Sequence, residues 1–182
     1  MSMENLSTKN FLDPKEIIKQ INVAPGSVVA DFGCGSGFFS LAFAEAIGED
    51  GKVYALDILP SALESVESQA KMAGLSNIIA QRANLEKDGG SALKENSADW
   101  VVVKDMLFQN KMKEVILKEA HRVLRPNGKL LLIEWGKEMS IGPEKSLRIS
   151  KEDLDKIAEG QGFKIEKELA TGDFHYGSVF AK

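Results

Sequence analysis

Between residues 31 and 37 the chain reads Asp31-Phe32-Gly33-Cys34-Gly35-Ser36-Gly37, three glycines at alternate positions behind an acidic residue. Glycine lets a backbone turn tightly and approach a ligand with no Cβ in the way. In open α/β sheets a glycine turn between a strand and a helix lies at the carboxyl edge, where ligands bind. The dinucleotide fingerprint G-x-G-x-x-G fails here: started at Gly33 it meets Phe38, and started at Gly35 it meets Ser40. No Gly-Lys-Ser/Thr follows, so a phosphate-cradling P-loop is excluded as well. A second carboxylate, Asp57, ends the apolar run Val53-Tyr54-Ala55-Leu56. A carboxylate in that place can accept two charge-assisted hydrogen bonds from a ribose diol, a device that nicotinamide-binding proteins share.

Proton-transfer chemistry has few candidates. Asp105, Glu134, His175 and Tyr176 are expected near the same sheet edge, and His175 suits a proton acceptor near neutral pH best. Trp135, Lys137 and Arg148 follow one strand toward that edge and are candidate substrate contacts. His121, near a helix C-terminus, reads as structural. The single cysteine, Cys34, lies inside the glycine turn with no base beside it in sequence, so it reads as a small space-filler and excludes an internal disulfide. With only two histidines, no cluster has zinc-ligand spacing, and no metal is expected.

The elements that must position these residues alternate along the chain. Short β-rich runs are predicted at Ser27–Asp31, Lys52–Asp57, Asn77–Arg82, Asp99–Lys104, Lys129–Trp135, Phe163–Leu169 and Tyr176–Ala181. Helical spacing is predicted over Pro14–Ile21, Phe38–Ile47, Ser61–Ala73, Lys113–Leu124 and Lys151–Gln161. Strand and helix repeated in this way give a mostly parallel sheet covered on both faces. Only Ala170–His175 separates the last two strands, too short for a crossover, so they pair as an antiparallel hairpin. Arg125-Pro126-Asn127-Gly128 reads as a turn between helix and strand.

The chain has 182 residues, 43% hydrophobic and 27% charged, with a net charge of −4. That length fits one domain, expected over residues 14–182 behind an N-terminal segment, residues 1–13. The mild acidity gives no general attraction to nucleic acid or an anionic membrane. No apolar run reaches the length of a membrane helix and the polar start carries no secretory stretch, so a cytoplasmic protein is expected.

Asp31 through Gly37, with Asp57 in register, resembles motif I and its acidic partner in class I S-adenosylmethionine (SAM) dependent methyltransferases, closest to the small UbiE-like or type 11 group. His121 to Leu130 resembles that family's turn into the fifth strand, with Asn127 for its first glycine. The resemblance spans about Pro14 to residue 182. It implies a three-layer α/β/α Rossmann-like sandwich with a seven-stranded sheet, SAM as cofactor and a small-molecule methyl acceptor. Asp31 would orient the cofactor ammonium, with Gly33, Cys34, Gly35 and Gly37 against its amino-acid part. Asp57 would hold the ribose and Ile58 pack on adenine. Asn84, where the family usually has Asp, would meet the adenine amino group, Leu85 would offer a backbone N–H, and Lys104 would lie toward the methionine end. His175, Tyr176 and Asp105 stand as the catalytic candidates. A non-catalytic SAM-binding protein and a nicotinamide oxidoreductase remain as alternatives. So few residues are left over that a pocket cover must come from the N-terminal segment, the loop after Trp135, the Thr171–Tyr176 hairpin or a second subunit, which keeps a homo-oligomer open.

Overall fold

The computed structural model describes residues 11–182. Its elements in chain order are α1 (Pro14–Ile21), β1 (Val28–Phe32), α2 (Phe38–Ile47), β2 (Lys52–Asp57), α3 (Pro60–Ala73), β3 (Ile78–Arg82), β4 (Ala98–Lys104), α4 (Lys113–Val123), β5 (Leu124–Trp135), α5 (Lys151–Gly160), β6 (Lys164–Leu169) and β7 (His175–Ala181). Caps written in the sequence set several of these bounds. The Asp13 carboxylate accepts from the Lys15 N–H at 2.9 Å with Pro14 behind it, and Ser150 caps α5 through the Asp153 N–H. Gly74, left-handed, closes α3.

The seven strands lie in the order β3-β2-β1-β4-β5-β7-β6. β1 to β5 run parallel, while β7 is antiparallel to both β5 and β6. The expected hairpin is therefore present, with its second strand inserted between β5 and the first. β6 becomes an edge strand whose exposed Lys164, Glu166, Lys167 and Glu168 discourage pairing with another chain. Alternation along the buried strands divides the core. Ala30, Phe32, Val101, Val103, Leu130 and Leu132 face α4 and α5, while Val29, Val53, Val102, Leu131 and Ile133 face α1 and α2. The resulting three layers are those the sequence predicts.

The stretch Arg125–Gly128 differs in form from the expected turn. It is the irregular start of β5: Leu124 pairs with Ala98, but Lys129 already pairs with Trp100, and Asn127 takes φ +65°. The extra residues bulge out of the ladder, which ties the end of α4 directly to β5. Residues 1–10 of the expected N-terminal segment lie outside the described residues; Phe11 is exposed beside Phe174, ring centroids 5.2 Å apart.

Candidate active site

The carboxyl ends of β1, β2 and β4 open onto a cavity of about 810 Å³, within the size range of small-molecule and cofactor sites. The glycine turn forms one wall and is pinned to its neighbour strand: the Gly33 and Cys34 N–H groups both donate to Leu56 O, at 2.8 and 3.0 Å. Asp57 then takes the Gly35 N–H on Oδ2 and the Leu59 N–H on Oδ1, each at 3.0 Å. One carboxylate thus fixes both the turn and the start of α3 while keeping lone pairs for a ligand. A Cβ on Gly33 would lie 2.9 Å from Met106 Sδ, and one on Gly35 would meet nothing within 4 Å. The turn at Gly35 is open toward a ligand.

Asp31 sits behind the turn at 2% exposure, accepting the Ser40 hydroxyl at 2.6 Å, with the Ser40 backbone N–H also acting on the carboxylate. Burial pushes its pKa up to about 6, against that hydrogen bond and the nearby Lys104 ammonium, which pull it down. Its free acceptor capacity inside a cavity wall suits a cationic ligand group. Ile58, Asn84, Leu85 and Lys104 also line the cavity. The Asn84 amide oxygen already accepts the Glu86 N–H at 3.2 Å. Gly37 does not line it; a Cβ there would lie 2.8 Å from Val66 Cγ2, so this glycine serves the approach of α3. A buried carboxylate for an ammonium, an acidic strand end for a diol and an open glycine turn together fit SAM.

The opposite wall joins residues distant in sequence. Asp105 follows β4 at φ +51°, held by its N–H to Ile133 O at 2.9 Å. Its Oδ2 receives the Lys104 ammonium and lies 3.2 Å from His175 Nε2, 70 residues away. A carboxylate oxygen accepts, so Nε2 carries the hydrogen, and in the neutral tautomer that this bond selects Nδ1 carries the lone pair. Cross-strand pairing of Trp135 with His175 stacks the two rings at 4.1 Å and 37°. Asp105 Oδ1 and His175 Nδ1 are buried without a hydrogen-bond partner among the described residues. Both residues line the cavity, and a buried polar atom without a partner calls for one.

The remaining candidates fall elsewhere. Tyr176 points to the other sheet face: its hydroxyl donates to Ile149 O at 3.1 Å, burial pushes its pKa up, and it lines a second cavity of about 770 Å³. Glu134 is buried on that same face and does not line the first cavity. Arg148 is a structural pin, donating to the carbonyls of Gly136, Met139, Ile141 and Pro143. Lys137 is exposed. Cys34 is buried, and desolvation with Asp31 and Asp57 nearby pushes its thiol pKa up, the wrong direction for a nucleophile. His121 packs edge-on against Phe163. Met106, in the stretch after β4 that the family resemblance sets at the methionine end of SAM, lines the cavity; sequence reading missed Gln109 and Asn110, which line it from an aperiodic turn with no motif to betray them. Among the described residues no group of three metal-ligating side chains forms, and no helix is long and apolar enough to cross a membrane.

Comparison with known proteins agrees with this geometry. Residues 24–170 match a family model described as a methyltransferase domain. A demethylmenaquinone methyltransferase of Geobacillus stearothermophilus is 31% identical over 128 residues, covering 70% of this chain and 53% of that protein. One of Oceanobacillus iheyensis is 33% identical over 132 residues, 70% of this chain and 52% of its own. The chain thus spans about half the length of the curated relatives it matches. The crystal structure of a SAM-dependent methyltransferase from Aquifex aeolicus superposes with TM-score 0.86 at 25% identity, covering 94% of this chain and 90% of that one. With its glycine turn, its two placed carboxylates and this family match over most of its length, the chain belongs to the SAM-dependent methyltransferases.

Proposed function

We propose that this protein transfers the SAM methyl group to a small apolar, aromatic acceptor bearing an ionisable hydroxyl, with the Asp105–His175 pair taking the acceptor's proton. The observation that carries the reading is the meeting of Asp105 and His175 at 3.2 Å, against the Trp135 ring, on the wall opposite the glycine turn. When bound, SAM supplies an electrophilic methyl group on sulfur. Asp31 and Asp57 hold and orient, the one toward an ammonium and the other toward a diol. Trp135 offers a flat apolar surface to an acceptor ring. Asp105 fixes the imidazole so that its lone pair stays on Nδ1, and the ring can then remove a proton from the acceptor. The apolar rim of Phe11, Phe38, Ile58 and Leu59 limits water around the reacting atoms. Demethylmenaquinone is the acceptor in the names of the matched relatives, and its reduced form carries ring hydroxyls of this kind.

The test is S-adenosylhomocysteine production with a panel of hydroxylated naphthalenes and benzenes. His175→Ala and Asp105→Asn are expected to lower kcat by about 10²–10⁴ while S-adenosylhomocysteine binding, measured by calorimetry, stays within about twofold. Unchanged turnover in both variants overturns the assignment of the base. Turnover restricted to aliphatic amines overturns the acceptor class.

A further inference from the structure

Glu134, the penultimate residue of β5, is 1% exposed and points away from the cavity. Its Oε1 accepts the Met106 N–H at 3.0 Å and the Leu107 N–H at 2.6 Å, and the Phe108 N–H also acts on the carboxylate. Three consecutive N–H groups converging on one carboxylate form the cup that loops elsewhere use for bound anions. Here the anion is a side chain of the neighbouring strand, and the loop it gathers is the one that ends β4. Two parts of the site depend on that loop. Asp105, immediately before the cup, holds a left-handed backbone and aims its carboxylate at His175. Met106 sends its side chain under Gly33, so close that a Cβ there would lie 2.9 Å from Sδ.

We propose that Glu134 is a positioning residue: by gathering the Met106–Phe108 backbone it sets the Asp105–His175 pair and the glycine turn together, coupling the acceptor wall to the cofactor wall. The inference rests on the reading of those two walls given above. The carboxylate is also poised to change charge. Burial pushes its pKa up to about 7, and the Asp105 carboxylate raises it further against the pull of the backbone N–H groups. The charged and titratable groups around it are Asp105, with Lys104 and His175 behind, and Tyr176, its ladder partner on β7. Oε2 is buried without a partner among the described residues, so protonation there finds no acceptor and weakens the cup.

The experiment follows backbone amide resonances of the ligand-free protein by NMR between about pH 8 and about pH 6. In an Asp31→Asn background, which removes the carboxyl that titrates two residues before Gly33, Met106, Leu107 and Gly33 are expected to shift with one common midpoint, which persists when His175→Ala is added and vanishes when Glu134→Gln is added. Glutamine keeps the accepting oxygen but does not titrate. In Met106→Ala the Leu107 shift is expected to remain and the Gly33 shift to disappear. S-adenosylhomocysteine affinity is expected to weaken at least about fivefold from the upper to the lower pH in the wild type, and only by the about twofold that Asp31 protonation accounts for in Glu134→Gln. A Gly33 amide that stays still while Met106 titrates overturns the coupling. A midpoint that survives Glu134→Gln overturns the role of Glu134. Absence of S-adenosylhomocysteine binding at every pH counts against the cofactor reading, and the ligand-free amides still decide this one.

Discussion

Asp31 and Glu134 are held where an ionised carboxylate is unfavourable, and the sign of their effect follows. Folding raises Asp31 from 3.8 to about 6 and Glu134 from 4.5 to about 7, so the folded state binds their protons more tightly than the unfolded chain. Their stabilising contribution is complete below the unfolded values and is lost as pH rises through 6 and 7. The ligand-free protein is therefore expected to melt at higher temperature at about pH 5.5 than at about pH 8, Asp31 contributing about 1 kcal/mol and Glu134 about 2 kcal/mol over that interval. Glu119 acts oppositely: burial alone would raise it, but Arg122 and Ser91 outweigh that and hold it below 4.5, so its contribution is lost only in stronger acid. Asp31→Asn, which keeps an acceptor for Ser40, is expected to raise the melting temperature at about pH 8 and flatten the profile. A profile unchanged by the substitution would contradict this. The places of Asp31 and Asp57 on the cavity wall were legible in the sequence because both sit at strand ends that apolar periodicity marks. The role of Glu134 was not, because its partners are backbone N–H groups of another strand's loop, and backbone leaves no trace in residue types.

At the scale of elements, the strands and helices follow the predicted spans within a residue or two, since each buried strand repeats its apolar residues at the period its neighbours impose; the exception is β5, which starts at Leu124 where Lys129 was predicted. The loops were opaque. The 3₁₀ turns at Leu107–Gln109 and Lys145–Leu147 have no periodic signal, and Arg148, a candidate substrate contact in the sequence, instead has four loop carbonyls folded around it. The insertion of β7 between β5 and β6 was also beyond local reading, because hairpin chemistry specifies a pair and says nothing about which side faces the sheet. Gly37 gives an element-level prediction. It starts α2 at φ +89° with Val66 of α3 against it, so Gly37→Ala is expected to destabilise the protein by about 1–3 kcal/mol. Denaturant titration checks this, and a loss below about 0.5 kcal/mol would mean α2 and α3 can shift apart without penalty.

For the molecule as a whole, a ligand that binds only the folded state raises stability by mass action. S-adenosylhomocysteine at about 100 times its dissociation constant is expected to add about 2.7 kcal/mol. Asp57→Ala should abolish most of that shift and also lower the ligand-free melting temperature, because the same carboxylate carries the Gly35 and Leu59 N–H groups. An equal ligand-induced shift in the variant would remove Asp57 from the cofactor wall.

The placement of β7 also dictates an order of assembly. Ribosomal synthesis delivers β5 and then β6 before the strand that separates them in the sheet exists. Until β7 arrives, both carry unsatisfied backbone edges, and a premature pairing of β5 with β6 would have to be undone. His175 is the first residue of that late strand, so the pocket that needs it is completed only after the rest of the sheet has formed. Nascent chains of this protein are thus expected to acquire their cofactor turn first and their acceptor wall last.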